Sequence, residues 1–344
     1  MKVLVTGAGG FLGGRTVKML LEEGREVRAL HRRKPAAAAA SPRLEAVEGQ
    51  LGDLPSLRAA VRGVQAVVHC AAKNDLGGSL SFFLEHNLLG TAHLLEAARA
   101  EGVRFFVLAS SASVVFSPGD LRGVDETAPY MNDPTKPYAY SKTMAERLTL
   151  AANGPAFKTL ALRPHLIWGP GDRHLLPRLL TRARRGRLRL FSGGPYLVDA
   201  TYIDNAARAF ELALSKLAAG APVDGQAFFI AQGEPQDINL LVNRLLAAVG
   251  APPAKAGMPK ALGRAAAAGV ERLWKTLRRQ SEPPVTLFAA QQLSSSHWFN
   301  LDKAKTMLGY RPEVSVAEGL RRLAAWRGSG SAESGREGRA GPRG

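Results

Sequence analysis

The chain has 344 residues, of which 46% are hydrophobic and 22% charged, a composition that supports one large α/β domain or two smaller ones. Its single cysteine, Cys70, excludes an internal disulfide framework and favours a reducing cytoplasm. No apolar run approaches the roughly 18 residues that a membrane span needs, and Met1 leads directly into an apolar stretch, so we expect neither a transmembrane helix nor a signal peptide.

The chain is strongly basic. Lysine and arginine number 46 against 29 aspartates and glutamates, a formal net charge of +17. This excess favours phosphate cofactors, acidic substrates, a membrane surface or nucleic acid, and a plain solvated surface is the alternative. Nothing resembles a helix-turn-helix, a zinc finger or an RNA-binding sheet, so no nucleic acid is expected.

His69 and Cys70 are predicted core residues, because no further cysteine or closely spaced histidine completes a metal site.

The amino-terminal stretch has the pattern of a strand, a glycine-rich turn and a helix. Residues 3–5 form a short apolar run typical of a buried parallel strand. Gly7, Gly10 and Gly13 then allow a tight turn, a close approach of the backbone to a pyrophosphate and close packing of helix on strand. Helix formers follow over residues 15–23, and the free N–H groups at the start of that helix would hold phosphates. The stretch predicts a dinucleotide site.

A second strand is predicted over residues 26–30, and basic residues follow it. NAD-binding sites usually end this strand with an acidic residue that binds the ribose hydroxyls. Here His31 stands at that place, followed by Arg32 and Arg33. Guanidinium groups would pair with a 2′-phosphate, which a carboxylate would repel. The cofactor predicted is therefore NADP(H), and a surface basic cluster is the alternative.

Two further strands are predicted over residues 44–47 and 65–72. Asp53 follows the first of them, where a carboxylate can bind an adenine edge. The second strand ends in Ala71 and Ala72, whose small side chains would let a cofactor lie against the backbone. Both positions extend the predicted dinucleotide site along the same edge of a parallel sheet.

A serine cluster and a tyrosine–lysine pair carry the predicted chemistry. A strand over residues 103–109 leads into Ser111 at its carboxyl end, where open α/β sheets place their chemistry. Pro137 suits the first turn of a helix, on which Tyr138 and Lys142 share one face. A phenol has a pKa of about 10, and a nearby ammonium favours its ionised form. Lys142 would thus poise Tyr138 for proton transfer while Ser111 holds a carbonyl oxygen.

These motifs resemble the extended short-chain dehydrogenase/reductase family over residues 1–327. The resemblance implies an α/β fold: a Rossmann-type doubly wound parallel sheet, mainly residues 1–165, with a smaller C-terminal substrate-binding cap, mainly residues 166–327. It also implies catalysis by Ser111, Tyr138 and Lys142, with Ser113 as the alternative serine. The predicted cofactor-binding residues are Gly7, Gly10, Phe11, Leu12, Gly13, Arg32, Arg33, Asp53, Leu54, Ala71, Ala72, Lys73, Asn87, Tyr138, Lys142, Pro164, His165 and Leu166.

The second half resembles one branch of that family. Residues 161–172 and 197–205 are similar to the 3β-hydroxysteroid and sterol dehydrogenases. In that pattern residues 164–166 flank the nicotinamide, which makes His165 a positioning residue. Nucleotide-sugar epimerases usually carry an arginine where Val198 stands here, which weakens the epimerase interpretation.

Residues 167–177, 188–205 and 240–252 more narrowly resemble the 2-alkyl-3-oxoalkanoate reductases of bacterial long-chain olefin biosynthesis. That resemblance implies NADPH-dependent reduction of the 3-keto group of a long-chain, doubly alkylated β-keto acid. The alternatives are a 3β-hydroxysteroid or sterol dehydrogenase, a nucleotide-sugar epimerase or dehydratase, and a catalytically inactive dinucleotide-binding regulator. Such regulators typically lose the tyrosine or the lysine of the pair.

Two stretches are both cationic and amphipathic. Residues 175–190 hold six arginines and no acid, and residues 262–279 belong to the cap. One interpretation is that both stretches are simply exposed helix faces. The other is that they dock to an acidic partner, to a multi-enzyme assembly or to the inner membrane. A homodimer is a further hypothesis. Residues 35–42, with five consecutive alanines, are predicted to be a surface loop, and residues 328–344 a disordered tail.

Overall fold

The computed structural model describes residues 1–33, 41–74, 78–277 and 286–337. Within them the strands are β1 Lys2–Thr6, β2 Glu26–His31, β3 Leu44–Glu48, β4 Ala66–His69, β5 Phe105–Ala109, β6 Leu121–Val124, β7 Lys158–Pro164, β8 Ile167–Trp168, β9 Arg189–Phe191, β10 Leu197–Val198, β11 Thr201–Tyr202, β12 Ala227–Ile230, β13 Gln236–Asp237, β14 Lys255–Met258 and β15 His297–Phe299.

The α-helices of the same residues are α1 Phe11–Glu22, α2 Leu54–Val61, α3 Leu80–Phe83, α4 Gly90–Ala100, α5 Pro137–Ala151, α6 Leu175–Arg184, α7 Ile203–Ala218, α8 Ile238–Ala248, α9 Lys260–Thr276, α10 Leu287–Gln292 and α11 Val316–Glu337. Shorter helical turns are the π-helical Leu84–Leu89 and Ala304–Leu308 and the 3₁₀ turn Ala112–Val115. Within the described ranges, no helix has both the length and the hydropathy needed to cross a bilayer.

Seven parallel strands form the central sheet, in the order β12–β7–β5–β4–β1–β2–β3. The strand order reverses between β1 and β4, which makes the carboxyl ends of these strands the expected ligand crevice. The predicted doubly wound α/β fold is confirmed.

Both faces of the sheet are covered by helices, as its sequence requires. In β1 the side chains of Val3 and Val5 enter one core cluster with Phe210 of α7, and Leu4 enters the opposite cluster with Leu57 of α2. All three β1 residues are fully buried. A parallel strand buried on two faces reads as a continuous apolar run, which is why residues 3–5 show no alternation.

The cap has a core cluster of its own and a small four-stranded sheet, ordered β13–β10–β15–β6. Its helices include α6 and α8, and the predicted apolar stripe of α6 is buried through Leu176, Leu179 and Ala183. Residues 203–230, which fall in the predicted cap range, instead return to the central sheet as α7 and β12. They complete the sheet because β12 pairs in parallel with β7 and covers the strand edge that β7 would otherwise expose.

The carboxyl-terminal prediction needs correction. Residues 328–337 were expected to be disordered, yet α11 runs through them to Glu337. A helix already fixed by the packing of Leu323 adds one hydrogen bond for each further residue, so a polar sequence can continue it. Residues 338–344, residues 278–279 of the second cationic stretch and residues 35–40 of the alanine-rich loop lie outside the described residues.

Candidate active site

The glycine-rich turn after β1 has the geometry of a phosphate cradle. Gly7 has φ +68°, and a Cβ there would lie 2.8 Å from the backbone nitrogen of Ala71. A Cβ at Gly13 would collide with the carbonyl oxygen of Gly7, so the packing of α1 on the turn requires glycine. Gly10 caps α1 without any side-chain hydrogen bond, which leaves the first N–H groups of the helix for an anion. The residues present therefore fit a dinucleotide pyrophosphate.

The carboxyl end of β2 is the predicted ribose end of this site. His31 ends the strand, and Arg32 and Arg33 follow it with exposed side chains. The Nδ1 atom of His31 lies 3.6 Å from the Cβ position of Gly9, so the imidazole borders the glycine-rich turn. Burial lowers the pKa of His31, which favours its neutral form there.

Asp53 has a local structural role that its predicted adenine contact did not include. Its carboxylate caps α2, accepting a hydrogen bond from the N–H of Ser56 at 3.5 Å. An aspartate before a helix with proline in its first turn satisfies otherwise free N–H groups. Leu54 is the first residue of that helix.

Asn87 lies in the π-helical turn and braces the chain that leaves β4. Its Oδ1 accepts from the N–H of Lys73 at 2.7 Å, while its Nδ2 donates to the Lys73 carbonyl and to the Ser141 hydroxyl, both at 3.0 Å. The Thr6 hydroxyl accepts from the N–H of Ala71 at 3.1 Å. Asn87 thus holds the main chain at Lys73, after the end of β4. The sequence analysis predicted that the Asn87 side chain contacts the cofactor in this region.

His69 is a core residue with both ring nitrogens in use, as predicted. Its Nδ1 lies 2.7 Å from the Thr6 hydroxyl and its Nε2 lies 3.0 Å from the Thr91 hydroxyl. Because Thr91 donates its own proton to the Asn87 carbonyl at 2.6 Å, the Nε2 of His69 is the donor and its Nδ1 accepts from Thr6. Burial lowers the pKa of His69 to about 3, with a contribution from Lys142. Within the described ranges, no three metal-ligating side chains cluster.

Ser111 and Tyr138 meet at the carboxyl end of β5. Ser111 caps the 3₁₀ turn, and its Oγ accepts from the N–H of Ser113 at 3.1 Å and from the Ser113 hydroxyl at 2.9 Å. The Ser111 proton is therefore free to bond with Tyr138. Burial raises the pKa of Tyr138, and the Ser111 hydrogen bond opposes that rise. The phenol is thus held protonated near neutral pH.

Lys142 lies one helical turn after Tyr138 but acts differently from the prediction. Its Nζ donates to the Ala109 carbonyl at 2.6 Å, and Ser111, not Lys142, is the group that opposes the raised pKa of Tyr138. Burial lowers the pKa of Lys142 to about 8, while the charge of Glu146 raises it. A buried ammonium takes the nearest carbonyl as its hydrogen-bond partner when no other acceptor is beside it.

A buried ionic cluster, which the sequence analysis missed, lies behind these residues. The Glu146 carboxylate accepts from Arg163 Nη2 at 2.7 Å, from the Tyr130 hydroxyl at 2.7 Å and from the Ser110 hydroxyl. Glu146 is on the same helix as Tyr138 at a spacing of eight residues, which gives no recognisable motif. Its partners come from three other segments.

A cavity of about 480 Å³ joins the glycine-rich turn, the serine–tyrosine–lysine set and the cap. The predicted cofactor residues that line it are Gly7, Gly10, Phe11, Leu12, Gly13, Ala72, Tyr138, Lys142, Pro164, His165 and Leu166. Ser111 and Ser113 line it as well. Those that do not line it are Arg32, Arg33, Asp53, Leu54, Ala71, Lys73 and Asn87. The lining residues missed from the sequence include Asp172, Arg178, Arg182, Phe288, Gln292 and His297.

The segment predicted to flank the nicotinamide is strained and tied to the cap. Leu166 has φ +40°, an unusual backbone conformation for a branched residue and one that clusters at functional sites. His165 beside it is buried, and its Nδ1 lies 2.7 Å from the Asp199 carbonyl oxygen. Its Nε2 lies 3.0 Å from the Nδ1 of His297 in β15.

The fold and this site define a nicotinamide-dependent oxidoreductase that interconverts CH–OH and C=O groups, because a dinucleotide turn and a Ser–Tyr–Lys set share one cavity. The chain belongs to the 3-beta hydroxysteroid dehydrogenase/isomerase family, whose model matches residues 4–259. The predicted family is thereby confirmed.

Individual proteins similar to this chain agree with that membership. The 2-alkyl-3-oxoalkanoate reductase of Stenotrophomonas maltophilia is 45% identical over 333 residues, which cover 94% of this chain and 99% of the relative. The decarboxylating sterol-4-alpha-carboxylate 3-dehydrogenase of Mus musculus is 33% identical, over 93% of this chain and 89% of the relative. The solved structure of DesIV, a dTDP-glucose 4,6-dehydratase from Streptomyces venezuelae with NAD bound, has a TM-score of 0.74 and 26% identity, covering 97% of this chain and 98% of that one.

Proposed function

We propose that this enzyme reduces the 3-keto group of a long-chain 2-alkyl-3-oxoalkanoic acid with NADPH, giving the 2-alkyl-3-hydroxy acid in olefinic hydrocarbon biosynthesis. The observation that carries the proposal is the single cavity that joins Ser111, Tyr138 and Lys142 to an apolar cap wall. The apolar wall residues come from α6, α8 and the α10 region: Leu175, Leu179, Ile238, Leu241, Val242, Leu245, Phe288 and Leu293. Each methylene buried there contributes about 0.8 kcal/mol.

The chemistry assigned to the polar end follows from its hydrogen bonds. When bound, the nicotinamide supplies the hydride that adds to C3. The Ser111 hydroxyl donates to the substrate oxygen, and Tyr138 transfers its phenolic proton to the same atom. Burial keeps Tyr138 protonated until then. Lys142, whose Nζ donates to the Ala109 carbonyl, is the residue that would hold the nicotinamide ribose.

NADPH is the proposed cofactor because two arginines and no acid follow β2. Arg32 and Arg33 are exposed at the strand end, next to the glycine-rich turn, where a 2′-phosphate would lie. A bidentate guanidinium–phosphate pair is stronger than a neutral hydrogen bond. Asp53, which already caps α2, is not assigned to the adenine.

The names of two relatives support a carboxylate beside the reacting carbon. A 2-alkyl-3-oxoalkanoate carries its carboxylate on C2, next to C3, and a sterol-4-alpha-carboxylate carries it on C4, also next to C3. A sterol dehydrogenase is therefore the second candidate, favoured by the same family model. An epimerase is not favoured, because the position where epimerases usually carry an arginine holds Val198, which is fully buried in β10.

Steady-state assays separate these candidates. The purified enzyme would be given NADP⁺ with a long-chain 2-alkyl-3-hydroxy acid, a 3β-hydroxysterol, its 4-carboxylate and a nucleotide sugar. The proposal predicts that kcat/KM is highest for the hydroxy acid. A higher value for either sterol would move the enzyme to the second candidate, and turnover of only the nucleotide sugar would refute both.

A further inference from the structure

Two buried histidines form a hydrogen-bonded chain between two backbone carbonyls on the cavity wall. His165 Nδ1 lies 2.7 Å from the Asp199 carbonyl oxygen, and His165 Nε2 lies 3.0 Å from His297 Nδ1. His297 Nε2 lies 2.6 Å from the Gln292 carbonyl oxygen at the end of α10. The two histidines are 8% and 6% exposed, so water does not replace these partners. All four ring nitrogens are therefore engaged.

The number of protons in this chain follows from its ends. A carbonyl oxygen only accepts, so the outer nitrogens of both rings must be donors. The central contact between two ring nitrogens needs one further proton. Three hydrogen bonds therefore require three ring protons, whereas two neutral imidazoles carry two. His69 differs, because its hydroxyl partners are satisfied by one ring proton.

We propose that the His165–His297 pair is the cavity's subsite for the substrate carboxylate, and that it holds one shared extra proton, as a single cation, when that carboxylate binds. This inference rests on the proposed function, since it assigns the anionic group of that substrate. The carboxylate is held through the charge of the pair, as no ring nitrogen is left for a direct hydrogen bond. The extra proton completes the hydrogen bond between His165 Nε2 and His297 Nδ1, while His297 Nε2 continues to donate to the Gln292 carbonyl at the end of α10.

The position of the pair suits a carboxylate attached two bonds from C3. A small cavity of about 10 Å³, room for about one water, is lined by Ser113, His165 and His297 together. Ser113 donates to Ser111 at 2.9 Å, and all four residues line the main cavity. The pair is thus on the wall that continues from the serine assigned to the substrate oxygen.

The surroundings limit the pair to one charge. Burial lowers the pKa of His165 to about 3, with a further contribution from His297, and burial also lowers the pKa of His297. Asp120 acts in the opposite sense on His297. The other charged or titratable groups around the pair and across the cavity are Cys70, Arg122, Tyr138, Lys142, Asp172, His174, Arg178, Arg182, Asp199, Lys260 and Arg264. An anion is therefore needed to retain the third proton near neutral pH.

Calorimetry in buffers of different ionisation enthalpy would count the protons. NADP⁺-loaded enzyme would be titrated near neutral pH with decanoate and, separately, with decanamide, which is uncharged but of the same shape. We expect about one proton taken up with decanoate and none with decanamide. In His297→Asn the uptake should disappear and decanoate affinity should fall about tenfold, with decanamide affinity unchanged. His93→Asn, which alters an imidazole bonded to Leu51 outside the cavity, is the matched control.

Nitrogen NMR of the unsubstituted protein with labelled histidine makes the test independent of folding in the variant. Decanoate should convert the pair from two to three protonated ring nitrogens, while His69 keeps one. No uptake with decanoate in the unsubstituted enzyme would overturn the inference, and so would an uptake in His297→Asn or His165→Asn as large as that of the unsubstituted enzyme. Failure to turn over 2-alkyl-3-hydroxy acids while decanoate still protonates the pair would refute the proposed function alone.

Discussion

Glu146 and Arg163 form an ion pair of 2.7 Å that is buried directly behind the serine–tyrosine–lysine set, with side-chain exposures of 0% and 2%. Glu146→Gln leaves the guanidinium buried without its counter-charge, which costs about 3–5 kcal/mol. Urea denaturation should show a loss of that size. The charge of Glu146 also raises the pKa of Lys142. In Glu146→Gln the Lys142 ammonium should therefore lose its proton at a lower pH. As the pH is raised, NADPH binding by this variant should weaken at a lower pH than it does in the unmodified enzyme.

The control for this prediction is Glu96→Gln, which breaks an exposed pair with Arg58 at 3.2 Å. Exposed pairs contribute at most about 1 kcal/mol, so its denaturation midpoint should hardly move. Equal stability losses in the two variants would contradict the cost assigned to breaking the buried Glu146–Arg163 pair.

Tyr138→Phe should abolish turnover and leave NADPH binding nearly intact, because the ring remains and only the transferable proton is lost. Lys142→Met should impair both, since its ammonium is assigned to the nicotinamide ribose. Stopped-flow turnover and fluorescence titration with NADPH separate the two effects. Tyr140→Phe is the matched control, since Tyr140 packs against a small apolar cluster and does not line the cavity. Activity retained in Tyr138→Phe but lost in Tyr140→Phe would transfer the proton donor to Tyr140.

The enzyme should prefer NADPH to NADH, and the double substitution Arg32→Ala, Arg33→Ala should remove most of that preference. A charge-assisted hydrogen bond to phosphate contributes about 1.5–3 kcal/mol. The measurement is the ratio of kcat/KM for the two cofactors, with Arg99→Ala, an exposed arginine at the end of α4, as the control. An unmodified enzyme that uses both cofactors equally would contradict the role of the two arginines.

Acid stability should depend on His69. Its folded pKa of about 3 lies below the ordinary value of 6.5, so between these limits the unfolded chain binds a proton that the native state does not. Stability from this residue is therefore lost as pH falls below about 6.5, at up to roughly 1.4 kcal/mol per pH unit. His69→Gln should have a shallower pH dependence of unfolding free energy, by about one proton, and urea denaturation at a series of pH values measures that slope.

The glycine-rich turn, the positions of the first strands along the chain and the Ser111–Tyr138–Lys142 set could be predicted because each depends on local spacing. Gly7 and Gly13 are required by backbone approach within one turn, and Tyr138 and Lys142 lie on one helix face. The family resemblance then predicted the cavity residues Pro164, His165 and Leu166.

Residues whose role depends on distant partners could not be read in this way. His297 bonds to His165 across 132 positions, and no motif links them. Asn87 was assigned to the cofactor, but the competing backbone of Lys73 takes its amide. Lys142 was assigned to Tyr138, but burial gives it the Ala109 carbonyl. In each case a buried polar group needs a hydrogen-bond partner, and that partner is distant in the sequence, so the spacing of residues along one helix or strand does not predict it.

The dependence of NADP⁺ reduction on alkyl length tests the central claim most directly. In a series of 2-alkyl-3-hydroxy acids, kcat/KM should rise about fourfold per methylene until the cavity is full, which corresponds to about 0.8 kcal/mol for each buried group. Leu245→Trp, which fills part of the apolar wall of α8, should end that rise at a shorter chain. A kcat/KM that stays flat from short to long chains in the unmodified enzyme would contradict the account.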